Sequence, residues 1–322
     1  VERFGWGIVG TGRMAEAMVA TLTEVPSARP VAVTSRSPER AASFATRHGL
    51  AVAATPATLA ERPDVDVVYV ASTHDRHVPD AADALERGVP VLCEKPLAAT
   101  VAQARRLVEV ARRGRVFLME AMWMLFQPAW DVLVELIDDG RVGAVRYVEA
   151  DFGFPADPDP GRRWFDPAQA GGALLDIGIY PVTFARTLLG DPEEVAAVRV
   201  DADTGVDLQV GAVMRHAGGA LSLIGCSFAA DTAIQAVVAG PEGRLVVRAP
   251  FHHATSITHH RRSRLVESFD VGYVGSGYRF EVEEVHRCLR AGLVESSRHP
   301  LDASLAVLAL LERIREVSGR EG

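Results

Sequence analysis

The run Trp6-Gly7-Ile8-Val9 leads into Gly10-Thr11-Gly12-Arg13-Met14-Ala15 and then into a stretch with helical spacing. Small residues at these positions suit the binding of a pyrophosphate. Gly10 permits a tight turn, Gly12 lets the phosphates approach the backbone, and Ala15 allows helix and sheet to pack closely, while the helix N-terminus offers its unpaired N–H groups. Gly10, Thr11, Gly12, Arg13 and Met14 are therefore expected at a dinucleotide. An NAD-selective domain carries an acid at the end of the second strand, about 20 residues on, to hold the ribose hydroxyls. Here that place reads Thr34-Ser35-Arg36-Ser37, and the nearest acid, Glu39, lies beyond it. A hydroxyl and a guanidinium at Ser35 and Arg36 suit a 2′-phosphate, which favours NADP(H) over NAD(H); the alternative is an arginine that faces solvent.

Such a signature needs a parallel sheet to carry it. From residue 4 to about 122, short β-rich runs at 6–9, 31–35, 65–72, 89–94 and 116–120 alternate with amphipathic stretches such as 13–25, 79–87 and 100–113. This is the grammar of βαβ units joined by right-handed crossovers, and it predicts a doubly wound Rossmann domain over 1–122. At 322 residues the chain also exceeds what one core usually organises. Beyond Gln127-Pro128 come a helix to 139, a Pro-rich loop over 155–167 and an apolar segment over 171–189. Strands follow at 194–202, 207–216, 220–228, 233–239 and 244–248, separated by Gly- and Pro-rich turns. An α+β domain over 123–279 with a predominantly antiparallel sheet is expected, followed by helices within 280–322. The expected class is α/β with this second, α+β, domain.

Cys93-Glu94-Lys95-Pro96 ends one of the strand-like runs and resembles the Glu-Lys-Pro motif of the glucose-fructose oxidoreductase, inositol dehydrogenase and MocA (Gfo/Idh/MocA) family. The segments Met119-Glu120-Ala121-Met122-Trp123, Gly171-Gly172-Ala173-Leu174-Leu175-Asp176-Ile177-Gly178-Ile179-Tyr180 and Cys288-Leu289-Arg290-Ala291-Gly292 resemble its dimeric dihydrodiol and NADP-linked xylose dehydrogenase branch. The likeness runs through nearly the whole chain. It implies an enzyme that moves a hydride between NADP(H) and a CH–OH or carbonyl group of a sugar, polyol or trans-dihydrodiol. It implies terminal helices that return to the Rossmann domain, and a homodimer or higher homo-oligomer joined through the open face of the second sheet.

The resemblance assigns catalysis to Lys95, Asp176 and Tyr180. Lys95 ends a Rossmann strand at the carboxyl edge, where ligands of open α/β sheets bind, and an ammonium there can acidify a phenol or polarise a carbonyl. Glu94 is placed to orient it. Tyr180 is the implied proton donor and acceptor, with Asp176 holding a hydroxyl. Four residues apart, Asp176 and Tyr180 share a face if the turn is helical, but Gly178 and Pro181 predict an irregular one. Much of the family has histidine where Tyr180 stands; tyrosine follows the dihydrodiol branch. Ser72, Thr73 and His77, around the end of the 65–72 strand, are further candidates at the cofactor, His77 by family position and equally a structural histidine. Trp123, Arg163 and Trp164 are candidates for the substrate side, with interdomain core or exposed loop as the alternative.

Other features narrow the field. The pairs His252-His253 and His259-His260 invite a metal reading, but neighbours on a strand point to opposite faces and no cysteine or carboxylate completes a ligand set, so no metal is expected. The net charge of −8 carries no basic block to grip nucleic acid. No apolar stretch is read as approaching the roughly 20 residues of a membrane helix, and three scattered cysteines suit a reducing compartment. A soluble, cytoplasmic protein is expected, with no membrane partner. Two rival readings are a nucleotide sensor without turnover, and an enzyme that recycles bound nicotinamide in a net non-redox reaction.

Overall fold

The computed structural model describes residues 3–157, 159 and 161–319; the outermost ends of the two expected terminal ranges, 1–2 and 320–322, lie outside them. By contacts the chain divides into two units, Val1–Trp123 with Gly275–Leu305, and Met124–Val274 with Ala306–Gly322.

The first unit alternates strand and helix in chain order: β1 (Phe4–Val9), α1 (Arg13–Glu24), β2 (Ala28–Thr34), α2 (Pro38–His48), β3 (Ala51–Val52), α3 (Pro56–Ala60), β4 (Val67–Val70), α4 (His77–Leu85), β5 (Val91–Glu94), α5 (Val101–Gly114) and β6 (Leu118–Ala121). The strands form a six-stranded sheet in the order β3-β2-β1-β4-β5-β6, with every pairing parallel. The order reverses direction at β1, so a crevice opens beside β1 and β4 at their carboxyl ends. Local chemistry fixes where the helices start. Ser37 accepts from the Arg40 amide at 3.2 Å ahead of α2, and Thr100 accepts from the Gln103 amide at 3.2 Å ahead of α5, each satisfying an orphan donor. The central strands are buried on both faces, as a doubly covered parallel sheet requires. The two-residue β3 has no counterpart in the sequence reading, since a strand so short leaves no periodic signal.

The second unit holds α6 (Pro128–Asp138), β7 (Tyr147–Gly153), α7 (Ile179–Leu189), β8 (Pro192–Asp201), β9 (Asp207–His216), β10 (Leu221–Ser227), β11 (Ala236–Gly240), β12 (Gly243–Val247), β13 (Ser256–Arg261) and β14 (Arg264–Asp270). They make an eight-stranded sheet ordered β14-β13-β12-β11-β7-β10-β9-β8. The sheet is antiparallel except where β7 runs parallel to β10. Strand β7, for which the sequence reading has no counterpart, enters the middle of the sheet and separates β10 from β11. Along β9 the side chains alternate. Val210, Ala212 and Met214 are buried, whereas Val213 is exposed. Val213 pairs across the sheet with Ala196 of β8 and Leu223 of β10, and β8 adds exposed Val198 and Val200. The uncovered face therefore carries an apolar patch.

Helix α8 (Arg279–Arg290) belongs to the first unit, while α9 (Leu301–Ser318) begins in the first and ends in the second. Within the first unit, the Trp6 indole N–H donates to His286 Nε2 of α8 at 3.1 Å, and Ser27 meets Nδ1 at 2.9 Å. Pro167–Leu189 is long and apolar enough to cross a membrane, contrary to the sequence reading, but 78% of its window is buried inside the protein. It is a core segment. The three cysteines are buried and unpaired.

Candidate active site

At the end of β1, Gly10 adopts φ of 114°, and a Cβ there would sit 2.5 Å from the Ala71 carbonyl oxygen. Only glycine fits that turn. Gly12 caps α1 without a side-chain bond, and a Cβ built on it meets nothing within 4 Å. The first N–H groups of α1 are thus available to an anion at an open approach, with Arg13 exposed and Met14 half-buried in the same turn. Around this turn the hydroxyls of Thr11, Ser72 and Thr73 are buried and make no hydrogen bond among the described residues. Buried hydroxyls are normally satisfied, so three together beside a glycine turn fit a polar ligand such as a dinucleotide.

Farther along the carboxyl edge, Thr11, Glu39, Arg40, Ser43 and Arg47 line a cleft of about 220 Å³. Ser35 is half-buried and Arg36 exposed just past β2. The Ser37 hydroxyl donates to the Glu39 carboxylate at 2.8 Å, holding that group below its ordinary pKa. Glu39 thus has a partner of its own, and Arg47 is paired with Glu16. Arg40 was not among the sequence candidates. Its signal was the second arginine of Arg36-Ser37-Pro38-Glu39-Arg40, which only the placement of α2 turns toward the cleft.

The strand end at β5 is braced from several sides. Glu94 is buried and accepts a short hydrogen bond from the Tyr69 hydroxyl. Burial, then the Glu94 charge, pushes the Tyr69 phenol well above its usual range, so it remains a donor. Lys95 follows, half-buried, ahead of a cis peptide to Pro96. His77 is buried with Nδ1 2.7 Å from the Pro96 carbonyl and Nε2 3.3 Å from that of Ser72, so it ties the loop after β4 to the residue after Lys95. Glu120 accepts from the Leu97 amide at 2.8 Å and meets His299 at 2.9 Å. Burial opposes that charge, but the bonds from His299, Ser304 and Leu97 overcome it and leave the carboxyl below its ordinary pKa. Trp123 is buried and stacks on Tyr278, with ring centroids 4.2 Å apart. The Tyr278 hydroxyl lies 4.0 Å from Met14 Sδ.

In the second unit the irregular turn takes a definite form. Leu174–Gly178 is a single π turn that runs into α7, placing Asp176 in the π turn and Tyr180 in the first turn of the helix. Such turns carry i→i+5 bonds and are common at functional sites. Asp207 of β9 accepts from the Leu174 amide at 2.5 Å. Gly178 packs so tightly on β10 that a Cβ would lie 2.9 Å from Cys226 Sγ. Asp176 is buried and pairs with exposed Arg163 at 3.2 Å. The ring of Trp164 lies 5.7 Å from Phe154 and 5.8 Å from Phe228, with the Arg163 guanidinium 5.9 Å from it. Arg163 and Trp164 therefore join the Asp176 neighbourhood. Asp207 was missed because its partner is 33 residues away in sequence.

The histidine pairs resolve differently from the sequence reading. His252 and His253 lie in a short 3-10 turn, Phe251–His253, rather than on a strand, while His259 and His260 do lie on β13. Among the described residues no three His, Cys, Asp or Glu side chains converge as a metal site.

A glycine turn at the switch point of a parallel sheet, joined to an eight-stranded, mostly antiparallel sheet domain, defines a two-domain dinucleotide-binding protein. Residues 4–122 match an oxidoreductase family with an NAD-binding Rossmann fold, and residues 130–246 match the GFO/IDH/MocA C-terminal domain. The chain belongs to the GFO/IDH/MocA family of oxidoreductases and is an enzyme of the NAD(P)-dependent dehydrogenase type. It is 36% identical over 323 residues to trans-1,2-dihydrobenzene-1,2-diol dehydrogenase of Mus musculus, covering 98% of this chain and 96% of that one. Among solved structures it resembles KijD10, a 3-ketoreductase from Actinomadura kijaniata in complex with NADP and TDP-benzene, with a TM-score of 0.88, 29% identity and 98% of each chain covered. It also resembles the aldose-aldose oxidoreductase of Caulobacter crescentus, with a TM-score of 0.89, 25% identity and 99% coverage of each.

Proposed function

We propose that this protein is an NADP(H)-linked dehydrogenase that oxidises a CH–OH group of a sugar, polyol or trans-dihydrodiol, or reduces the corresponding carbonyl. The observation that carries the reading is the identity of residue 95. Of the 34 lysine and arginine residues in the chain, Lys95 is the only lysine. Every other cationic task is met by guanidinium, which stays charged and planar, whereas an ammonium is a compact point charge that responds to its surroundings. Only at the end of β5, in the Glu-Lys-Pro motif, does the chain keep an amine.

Nicotinamide, when bound, supplies the hydride chemistry. The residues of the chain divide the remaining tasks. Gly10, Gly12 and the first turn of α1, with Arg13 and Met14, receive the pyrophosphate, and Thr11, Ser72 and Thr73 offer hydroxyls to the same nucleotide. Ser35, Arg36 and Arg40 take the 2′-phosphate, which supports NADP(H) over NAD(H). Glu94 and His77 hold the strand end and loop from which Lys95 projects. Lys95 stabilises negative charge on the reacting oxygen, Tyr180 gives or takes the proton there, and Asp176, steadied by Arg163, hydrogen-bonds a neighbouring hydroxyl. Trp123 and Trp164 offer apolar faces suited to a sugar ring or a cyclohexadiene diol. The relatives named for a dihydrobenzene diol and for aldoses support both substrate classes. We further infer a homodimer or higher homo-oligomer through the open sheet face, supported by exposed Val198, Val200, Val213 and Leu221. The reading is of a soluble, cytoplasmic enzyme.

The test is a panel of aldoses, polyols and trans-diols assayed with NADP⁺ and NAD⁺ in parallel, together with amine-selective acylation. NADPH formation with at least one diol or sugar is expected, as is inactivation on acylating Lys95 that bound NADP⁺ slows. Turnover unaffected by complete acylation of Lys95, mapped by peptide mass, refutes the assignment.

A further inference from the structure

The peptide group that follows Lys95 and Pro96 is held at both ends. Its carbonyl, that of Pro96, accepts from His77 Nδ1 at 2.7 Å, and its N–H, that of Leu97, donates to Glu120 Oε1 at 2.8 Å. Glu120 stands on β6 between Met119 and Ala121, opposite Cys93 of β5, in a strand buried on both faces. Its other oxygen meets His299 Nε2 at 2.9 Å, and the Ser304 hydroxyl, in the first turn of α9, lies 3.0 Å from the same nitrogen. His77, Glu120, His299 and Ser304 are all buried.

An acid at this place is costly, because a strand covered on both faces offers no water to a charge. Apolar packing of β6 on β5 does not call for one, as Met119 and Ala121 on either side show. What the acid provides is an acceptor for Leu97. A peptide group bound at both its carbonyl and its N–H cannot turn about the flanking bonds without leaving a buried polar group unmet. On its other side Lys95 follows directly on Glu94, which β5 pairs with Ala121 of β6. The backbone of Lys95 is therefore fixed by the sheet before it and by the clamped peptide after it.

We propose that Glu120 is a positioning residue for Lys95: by accepting from the Leu97 amide, opposite His77 on the same peptide, it sets the direction in which the ammonium leaves the end of β5. The proposal rests on the reading of Lys95 as the cation at the reacting oxygen. His299 and Ser304 in turn hold Glu120, so the aim of Lys95 reaches back to the start of α9, about 200 residues along the chain. Glu94, next to Lys95 in sequence, has a different task. It takes the Tyr69 hydroxyl and ties β5 to β4, whereas Glu120 fixes the chain beyond the strand. A cation displaced from the reacting oxygen costs turnover, while the glycine turn and the first turn of α1 still receive the nucleotide.

Because Lys95 is the only lysine, its amine can be followed by itself. Wild type, Glu120→Met, Glu120→Asp and Glu120→Gln are compared in trace acylation by acetic anhydride, with and without saturating NADP⁺, read at Lys95 by peptide mass. The same proteins are assayed in the oxidation of trans-1,2-dihydrobenzene-1,2-diol by NADP⁺. Glu120→Met fills the space without an acceptor. Glu120→Asp keeps the charge for His299 but withdraws it from Leu97 by one methylene, so the test does not depend on the methionine variant folding. In both we expect Lys95 to acylate severalfold faster, NADP⁺ to protect it less, and kcat to fall about ten- to a hundredfold with NADP⁺ affinity little changed. Glu120→Gln keeps an oxygen for the Leu97 amide and should retain the protection and most of the turnover. Acylation and kcat that overlay wild type in Glu120→Met and Glu120→Asp overturn the proposal, as does a Glu120→Gln protein no better than Glu120→Met. Full turnover in Lys95→Met defeats the reading of Lys95 instead, and the acylation rates, which need no substrate, still judge the positioning.

Discussion

In the first unit the groups that can meet a nucleotide sit within a turn or two of a strand end, whereas in the second unit Tyr180 is held by residues from distant strands. Gly10, Thr11 and Gly12 need only β1 and α1 to be in place, and Arg36 and Arg40 need only β2 and α2. Tyr180 needs the π turn before it, Asp207 to anchor that turn, Cys226 to close on Gly178, and Phe152 and His252 to hold its ring. The two functions are therefore vulnerable in different places. On the proposed assignment, nucleotide affinity rests on short backbone geometry and a few cations, and so should resist changes elsewhere in the chain. The proposed proton transfer at Tyr180 rests on a tertiary arrangement, and changes far away in sequence should reach it.

The largest effect is expected at the chemistry itself. Tyr180→Phe keeps the ring against Phe152 and His252 and deletes the hydroxyl, so kcat should fall by about 10²–10⁴-fold, the usual worth of general acid–base catalysis. Lys95→Met should lose a comparable factor. If the two act on one developing charge, the double variant should lose far less than the product of the single losses, which steady-state kinetics on all four proteins will show.

Next in size is the nucleotide. Removing the guanidinium in Arg36→Ala deletes a charge-assisted contact worth about 1.5–3 kcal/mol, roughly ten- to a hundredfold in NADP⁺ affinity, and should leave NAD⁺ binding nearly unchanged. Arg40→Ala should behave alike. Fluorescence titration with both nucleotides checks this, and equal losses for NADP⁺ and NAD⁺ would show that neither arginine reads the 2′-phosphate.

A third expectation concerns stability in the first unit. Burial, followed by the Arg290 charge, pulls the His286 imidazole down to about 4. Its Nε2 accepts from the Trp6 indole, so protonation there breaks that bond. Because the unfolded chain binds this proton more readily, near pH 6.5, His286 favours the folded state fully above that value. The advantage is lost as pH falls from about 6.5 to about 4, by up to roughly 3 kcal/mol. Thermal melts across that window should decline in wild type and less steeply in His286→Gln.

The smallest change in the fold, with a clear consequence for assembly, is a charge on the open sheet. Val213 is 46% exposed and Ala212 5%. If the proposed assembly joins copies of the chain through this face, Val213→Asp should split it and leave the chain folded, while Ala212→Asp should destabilise the unit itself. Light scattering and melting curves distinguish the two, and an oligomer that survives Val213→Asp would place the interface elsewhere.

What could be read from sequence follows the same division. The Rossmann strands and the glycine turn were legible because β-rich runs, caps and Gly10 and Gly12 act over a few residues. Lys95, Asp176 and Tyr180 became candidates through resemblance, and Gly178 with Pro181 announced the irregular turn that became π-helical. Strand β7 was not legible. Tyr147–Gly153 carries Glu149 and Asp151 among its apolar residues, and its place is set by pairing with β10 and β11, far along the chain. Asp207 and His252 were hidden for the same reason. Nothing next to His252 in sequence indicates Tyr180, and only the sheet brings them into contact.

The most direct test crosses the two regions. NADP⁺ affinity and kcat at saturating NADP⁺ should be measured for Tyr180→Phe and Arg36→Ala, with a substrate taken from the diol and sugar panel. Opposite outcomes are expected: Tyr180→Phe loses about 10²–10⁴-fold in kcat with nucleotide affinity within about twofold of wild type, and Arg36→Ala loses affinity with kcat retained. Tyr180→Phe turning over like wild type, or Arg36→Ala binding NADP⁺ as tightly as wild type, would contradict it.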